Sequence, residues 1–361
     1  MKKIRFALIG SGWRAEFYIR IAKQLPAMLE LTGVMIRDPE KALAFSEKFE
    51  VPTVNSLDAL LSPNPDFAVV CVKRGVLTDC LIELMRRGVP ALCETPPGES
   101  EEALLHVWEE AQTHRARVQV AEQYFAQPLY AAWYEAVRQG LLGRVENIAL
   151  SSLHGYHGAS IIRCYLNTGF QGCRIYGKRY AFEVTETYGR EGMCFAGETF
   201  TCPRDRLTFE FDNGGVAFFD FSDPAQYHSF IRTRQLTVQG TRGEIDDMTI
   251  RYLAEGNVPV TQNLNRIDLG VYGNQEWSHF AIMLGEKFLY RSPFPGARFN
   301  DDEIAVATCL AGMGQYLETG MECYSLRDAL QDMYLCLKMD EALNSPLTVV
   351  ETRPMPWSEP V

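Results

Sequence analysis

Apolar positions along the chain follow two rhythms. Between residues 4 and 121, short unbroken apolar runs alternate with stretches in which apolar side chains recur every three or four positions. Ile4–Ile9 is the first run. After Gly10 helical spacing takes over, with Phe17, Ile21 and Leu25 on one stripe that Pro26 ends. Leu29–Ile36 predicts a second strand, and Asp38-Pro39 opens a helix over Glu40–Phe49. Val51–Val54 and Leu57–Leu61 predict a short strand and a small helix. Phe67–Val72 is apolar throughout, the pattern of a strand buried on both faces of a parallel sheet. A helix near Thr78–Arg87, a strand at Pro90–Cys93, a helix over Glu99–His114 and a strand at Arg117–Ala121 complete a doubly wound α/β unit.

The rhythm then changes. Pro128–Gln139 predicts a helix ending at Gly140, and from Val145 polar and apolar residues alternate, as in an antiparallel sheet with one covered face. Strands are expected at Val145–Leu153, Ala181–Tyr188, Leu207–Phe211, Val216–Phe221, Leu236–Gln239 and Thr249–Leu253, with Asn213-Gly214 as a hairpin turn. Helices are expected at Ser160–Leu166, Glu276–Leu284, Asp301–Glu318 and Leu326–Leu343, and proline-rich Thr352–Val361 reads as a tail. The fold class is therefore α/β: a doubly wound parallel sheet over 1–123, an α/β domain with a large, mainly antiparallel sheet over 124–345, and a tail over 346–361.

Composition narrows the partners. With 361 residues, 47% hydrophobic and 22% charged, the chain reads as a soluble globular protein. A net charge of −11 disfavours nucleic acid, whose phosphates need a basic face. No apolar run reaches the roughly 18 residues of a membrane span. Met1-Lys2-Lys3 before an apolar run has the outline of a signal peptide, but the run is short and Trp13-Arg14-Ala15-Glu16 is no cleavage site, so it reads as a strand. Ten cysteines without C-x-x-C spacing point to reduced thiols in the cytoplasm.

Candidate chemistry begins at Gly10-Ser11-Gly12-Trp13-Arg14-Ala15, a G-x-G-x-x-A turn between strand and helix. The first glycine of such a turn bends the chain, the second lets backbone approach a pyrophosphate, and the helix N-terminus faces the phosphates. Further pieces follow in order: Arg37-Asp38-Pro39-Glu40-Lys41-Ala42, Ser56-Leu57-Asp58-Ala59-Leu60-Leu61, Cys93-Glu94-Thr95-Pro96, Ala121-Glu122-Gln123-Tyr124, Gly140-Leu141-Leu142-Gly143-Arg144-Val145 and the stretch from His157 to Arg163. Over roughly residues 1–166 they resemble the glucose–fructose oxidoreductase, inositol dehydrogenase and MocA (Gfo/Idh/MocA) family of nicotinamide oxidoreductases.

That resemblance implies NAD or NADP bound by Gly10, Ser11, Gly12, Trp13, Arg14 and Ala15, with Arg37, Val72, Lys73, Glu94, Thr95 and Gln123 around it. It implies a pocket residue at Tyr124, where aromatic packing is the alternative; His154, Tyr156 and Arg163 near His157 are convergent polar groups of the kind that mark a substrate pocket. The family's catalytic set is a Lys in Glu-Lys-Pro with an Asp and a His four residues apart. Here Thr95 stands for the Lys and Leu153 for the Asp, so His157 is the one member kept. A threonine orients an oxygen but supplies no proton near neutral pH. His154 and His157 lack a neighbouring carboxylate or cysteine to complete a metal site, and His157 reads either as a pocket residue or as a core histidine.

At the end of the second strand, where an acid would bind the ribose of NAD, stand Ile36 and Arg37. An arginine there clamps a 2′-phosphate, favouring NADP(H) over NAD(H); the alternative is a solvated Arg37 beside a capping Asp38. Lys73 and Arg74 either attract phosphate or line a solvated loop. Asp246-Asp247 and Asp301-Asp302-Glu303 fit a turn and a helix start. The expected activity is oxidation or reduction of a sugar, polyol or related hydroxy compound by a homodimer or homotetramer paired through its second sheet. The alternative is a sensor of the same fold that binds dinucleotide without turnover.

Overall fold

The computed structural model describes residues 2–189, 192–226, 229–270, 278–346 and 348–359. Two compact units emerge, one of Met1–Ala131, Arg266–Ile282 and Tyr290–Leu330, the other of Ala132–Asn265, Met283–Leu289 and Gln331–Val361.

The first unit begins with β1 (Ile4–Ile9), α1 (Trp13–Gln24), β2 (Leu29–Met35), α2 (Pro39–Phe49), β3 (Thr53–Val54), α3 (Leu57–Leu61), β4 (Phe67–Val70), α4 (Arg74–Arg86), β5 (Ala91–Cys93), α5 (Glu101–Thr113) and β6 (Val118–Val120). All pairs among these six strands are parallel, in the order β3-β2-β1-β4-β5-β6. Strand order reverses at β1, which pairs with β2 on one side and β4 on the other, so a crevice opens beyond their carboxyl ends. Asp38, Ser56 and Ser100 each accept a backbone N–H in the first turn of the helix they precede, which sets where those helices start; α5 begins at Glu101, two residues after the predicted Glu99. α4 starts four residues before the predicted Thr78, at Arg74, and its N-cap Lys73 makes no capping bond. Without a capping side chain or an early acid, that start carries no local signal.

The chain continues with α6 (Pro128–Arg138), β7 (Val145–Ser151), α7 (Gly155–Tyr165), β8 (Cys173–Thr185), β9 (Tyr188–Gly189), β10 (Gly192–Met193), β11 (Thr199–Phe211), β12 (Val216–Phe221), β13 (Gln235–Gly240), β14 (Gly243–Asp246), β15 (Thr249–Leu253), β16 (Pro259–Leu269), β17 (Ser278–Leu284) and β18 (Lys287–Arg291). α8 (Asp301–Thr319), α9 (Leu326–Asn344) and β19 (Val350–Glu351) close the chain. Eleven strands run in the order β18-β17-β16-β15-β14-β13-β7-β12-β11-β8-β19. The sheet is mainly antiparallel, with β12 and β7 parallel.

Three expectations change. Ser278–Leu284 is a strand rather than a helix, because seven residues with Gly285 at positive φ before β18 form a hairpin; Glu276, the expected start, lies outside the described residues. α8 buries Ile304, Leu310 and Met313 in the core that holds Phe6, Tyr18 and Phe67, so it belongs to the first unit and not to a domain over 124–345. The closing segment is no loose tail within its described part. β19 pairs with β8, and Trp357 is fully buried, its indole N–H donating to Gln331 Oε1 at 2.9 Å.

Candidate functional site

The turn after β1 is set by contact rather than by propensity alone. Gly10 has φ +126°, and a Cβ there would lie 1.9 Å from the Cys71 carbonyl oxygen at the end of β4, so only glycine lets these strands end side by side. Gly12 plays a different part. It is the N-cap of α1 with ordinary φ (−78°), no side chain caps the helix, and a Cβ there would meet nothing within 4 Å. The first amides of a twelve-residue helix therefore face open space, a fit for pyrophosphate. Ala15 is fully buried beneath them, Ser11 half-buried and Trp13 exposed.

Arg14 lies against the Trp13 and Phe17 rings, 4.8 and 4.9 Å from their centroids. Its Nε is 3.8 Å from Glu94 Oε1, and Tyr18 donates to that same oxygen at 2.6 Å. Burial and the neighbouring carboxylate push the Tyr18 phenol up, so it stays a donor. Among the described residues Arg14 Nη1 is buried without a hydrogen-bond partner. Tyr18 and the orphaned Nη1 escape sequence reasoning, since Tyr18 sits between core positions on an amphipathic helix. Thr95 is half-buried next to Glu94.

Ile36 is buried at the end of β2, while Arg37 is exposed and forms no ion pair among the described residues. Asp38 accepts the Lys41 N–H at 3.0 Å, so its carboxylate serves α2. Val72 is half-buried, and Lys73 and Arg74 are exposed at the uncapped start of α4, where the helix dipole makes cations unfavourable unless an anion joins them. Gln123 is buried and donates to Asp302 Oδ1 at 3.4 Å. Tyr124 is buried edge-on to Tyr130, and its N–H donates to Glu122. Complete burial pushes the Glu122 carboxyl up to about 8.

In the second unit, α7 begins five residues before the predicted Ser160, which puts His157 in its first turn. His154 is the N-cap, and no side chain caps this helix either. The His154 and His157 rings meet edge to face at 4.8 Å, and Tyr156 meets His157 at 5.2 Å. Leu153 is fully buried. Arg163, one helical face further on, is 5% exposed and reaches Asp332 Oδ1 at 2.6 Å and the Gly169 carbonyl at 2.8 and 3.0 Å. Its charge is thus neutralised inside the unit. Among the described residues no group of three or more His, Cys, Asp or Glu side chains could hold a metal, and no helix is long and apolar enough to cross a membrane.

A six-stranded parallel sheet with an uncapped glycine turn at its switch point defines a dinucleotide-binding domain. Residues 4–122 match the Gfo/Idh/MocA model, described as an oxidoreductase family with an NAD-binding Rossmann fold. No curated protein matches the sequence. The fold is shared along the whole length with solved structures. An oxidoreductase from Agrobacterium radiobacter in complex with NAD+, L-tartaric acid and magnesium is 13% identical, with TM-score 0.69 and coverage of 97% of this chain and 98% of that one. A levoglucosan dehydrogenase in complex with NADH and levoglucosan is 15% identical, with TM-score 0.69 and coverage of 97% and 99%. A putative myo-inositol dehydrogenase from Sinorhizobium meliloti is 15% identical, with TM-score 0.65 and coverage of 98% and 100%.

Proposed function

We propose that the protein is an NAD(P)-dependent oxidoreductase acting on a sugar, polyol or related hydroxy compound. The observation that carries this reading is the uncapped N-terminus of α1, with open space over Gly12. The first-turn amides would hold the pyrophosphate, and Arg14 Nη1, Glu94 and Thr95 would meet the rest of the dinucleotide, with Val72, Lys73 and Gln123 around it. A bound nicotinamide supplies the hydride donor or acceptor. His157 holds or moves the substrate proton, with His154 and Tyr156 beside it as substrate contacts; Tyr124, in the first unit, is a further substrate-contact residue in this reading. Arg163 acts as a positioning residue, fixing α7 through Asp332 and Gly169. The chemistry of the solved neighbours, which include dehydrogenases of levoglucosan and myo-inositol, supports a hydroxy compound as substrate.

The preferred cofactor in this reading is NADP(H), because β2 ends without an available carboxylate and Arg37 is exposed. Fluorescence titration should give tighter binding of NADPH than of NADH, and Arg37→Asp should reverse the order; equal affinities in the wild type would count against the preference. We place the enzyme in the cytoplasm as a homodimer or homotetramer paired through the second sheet, whose Phe218 and Phe182 are exposed. Light scattering that returns a monomer would remove this element.

A second reading, a dinucleotide-binding sensor, is favoured by Thr95 and by the buried Leu153, which leave no lysine or aspartate at the family's catalytic positions. One experiment separates the two. Absorbance at 340 nm is followed against polyols, aldoses and hydroxy acids after cofactor binding is established. Turnover abolished by His157→Ala supports the enzyme; binding without turnover across the panel supports the sensor.

A further inference from the structure

Arg14, in the first turn of α1, and Glu94, the residue after β5, stand side by side without closing into a hydrogen-bonded ion pair. Their nearest approach, Arg14 Nε to Glu94 Oε1, is 3.8 Å, beyond hydrogen-bond distance. Neighbours on the same helix account for the gap. Tyr18, fully buried one turn further along α1, donates to Oε1 at 2.6 Å and holds the carboxylate where it is. The Trp13 and Phe17 rings, 4.8 and 4.9 Å from the guanidinium, hold the other partner. Two opposite charges are thus kept apart by side chains that leave neither much freedom.

Both charges reach solvent. The Glu94 side chain is 12% exposed and that of Arg14 19%. Glu94 Oε2 and Arg14 Nη2 have no hydrogen-bond partner among the described residues, and neither is among the atoms buried without one. The pair therefore offers a ligand one strong acceptor and, beside it, one strong donor.

Charge restricts what suits such a pair. A ligand carboxylate would satisfy Arg14 but has no proton for Glu94 and would face its negative charge. An ammonium group would satisfy Glu94 and face Arg14. A neutral group with an acceptor and a donor on two atoms of one plane suits both, and a primary carboxamide is such a group. On the dinucleotide reading, on which this inference rests, the one primary carboxamide of the ligand is that of the nicotinamide ring.

We propose that Arg14 and Glu94 are the residues that select the nicotinamide carboxamide, Arg14 Nη2 donating to its oxygen and Glu94 Oε2 accepting from its nitrogen. Tyr18 is the positioning residue: by holding Oε1 it keeps Glu94 from closing on Arg14 and leaves Oε2 for the ligand.

Calorimetric titration of the full chain with three ligands tests this. They are NADP+, its nicotinic acid counterpart, in which a carboxylate replaces the carboxamide, and 2′-phospho-ADP-ribose, which lacks the ring. NADP+ should bind the wild type roughly tenfold to a hundredfold more tightly than the acid, the order set by one hydrogen bond to a charged group. Glu94→Gln, which offers a donor as well as an acceptor, should bring the two within about threefold of each other. Tyr18→Phe should narrow the gap in the same direction and leave 2′-phospho-ADP-ribose binding unchanged, which the loss of a merely structural tyrosine would not do. Equal affinities for NADP+ and the acid, in a wild type that binds 2′-phospho-ADP-ribose, would overturn the proposal and leave the dinucleotide reading standing. Full discrimination in Glu94→Gln or in Tyr18→Phe, or a Tyr18→Phe protein that loses all three ligands alike, would also overturn it. No binding of any of the three would defeat the dinucleotide reading and this inference together.

Discussion

Gly10 and Gly12 are two residues apart, yet replacing each by alanine should have opposite consequences. At Gly10 the new Cβ would sit 1.9 Å from the Cys71 carbonyl oxygen and 2.7 Å from its carbon, where real contacts stay beyond 3.0 Å. Both strands would have to part by about 1 Å, in a core close-packed enough to transmit the strain. A φ of +126° adds about 1–3 kcal/mol for any residue with a side chain. Together these place Gly10→Ala above about 4 kcal/mol, among the rare severe substitutions. At Gly12 the Cβ meets nothing and φ is ordinary, so an alanine's poorer capping and its less flexible unfolded chain roughly offset, leaving stability within about 1 kcal/mol. What the methyl does occupy is the space over the first amides of α1. Losing one or two charge-assisted hydrogen bonds there amounts to about 1.5–3 kcal/mol each, a tenfold or greater loss in affinity. Scanning fluorimetry reads the first effect and titration of NADH or NADPH fluorescence the second. A Gly12→Ala protein that binds dinucleotide like the wild type would refute the cradle, and a Gly10→Ala protein with wild-type melting would refute the close approach.

Two further outcomes follow from buried charge. Asp332→Asn strands the Arg163 guanidinium inside the second unit and should cost about 3–5 kcal/mol by chemical denaturation, whereas Arg163→Met with Asp332→Leu should recover most of it; a loss below about 1 kcal/mol for the single change would show the pair to be dispensable. Glu122 has its folded pKa raised to about 8 from 4.5, so the folded state holds a proton that the unfolded state gives up between those values. Its contribution therefore falls as pH rises through that window and is flat above it. Glu122→Gln should gain melting temperature relative to the wild type from pH 5 to pH 8, and parallel profiles would argue that the carboxyl is not buried.

The sequence is legible where a few neighbouring residues decide the outcome. The glycine turn, the Asp38 and Ser56 caps, and the capping box of Asn300 and Glu303 at the start of α8 are of this kind. Misreadings arose where distant parts decide. Ser278–Leu284 has the apolar content of either element, and hairpin pairing through Gly285 makes it a strand. Arg163 looked like a pocket cation because its partner Asp332 is 169 positions away. The early start of α7 has no capping residue to announce it. The gap held open between Arg14 and Glu94 could not be seen at all, since being without a partner is a property of packing and has no sequence pattern.

The last described residues have a consequence for handling the protein. β19 occupies the outer side of β8, pairing Val350 with Ile175 and Glu351 with Arg174, and Thr352 exchanges two hydrogen bonds with Cys173. Trp357 and the Arg353 N–H, which donates to the Tyr334 hydroxyl, pin the segment against α9. Removed at residue 346, the chain would lose the pairing at Arg174 and Ile175 and leave that end of edge strand β8 open to a second strand in solution, the usual template for sheet-to-sheet aggregation. The closing residues therefore act as a built-in guard against self-association, and a truncated version should precipitate at concentrations the full chain tolerates.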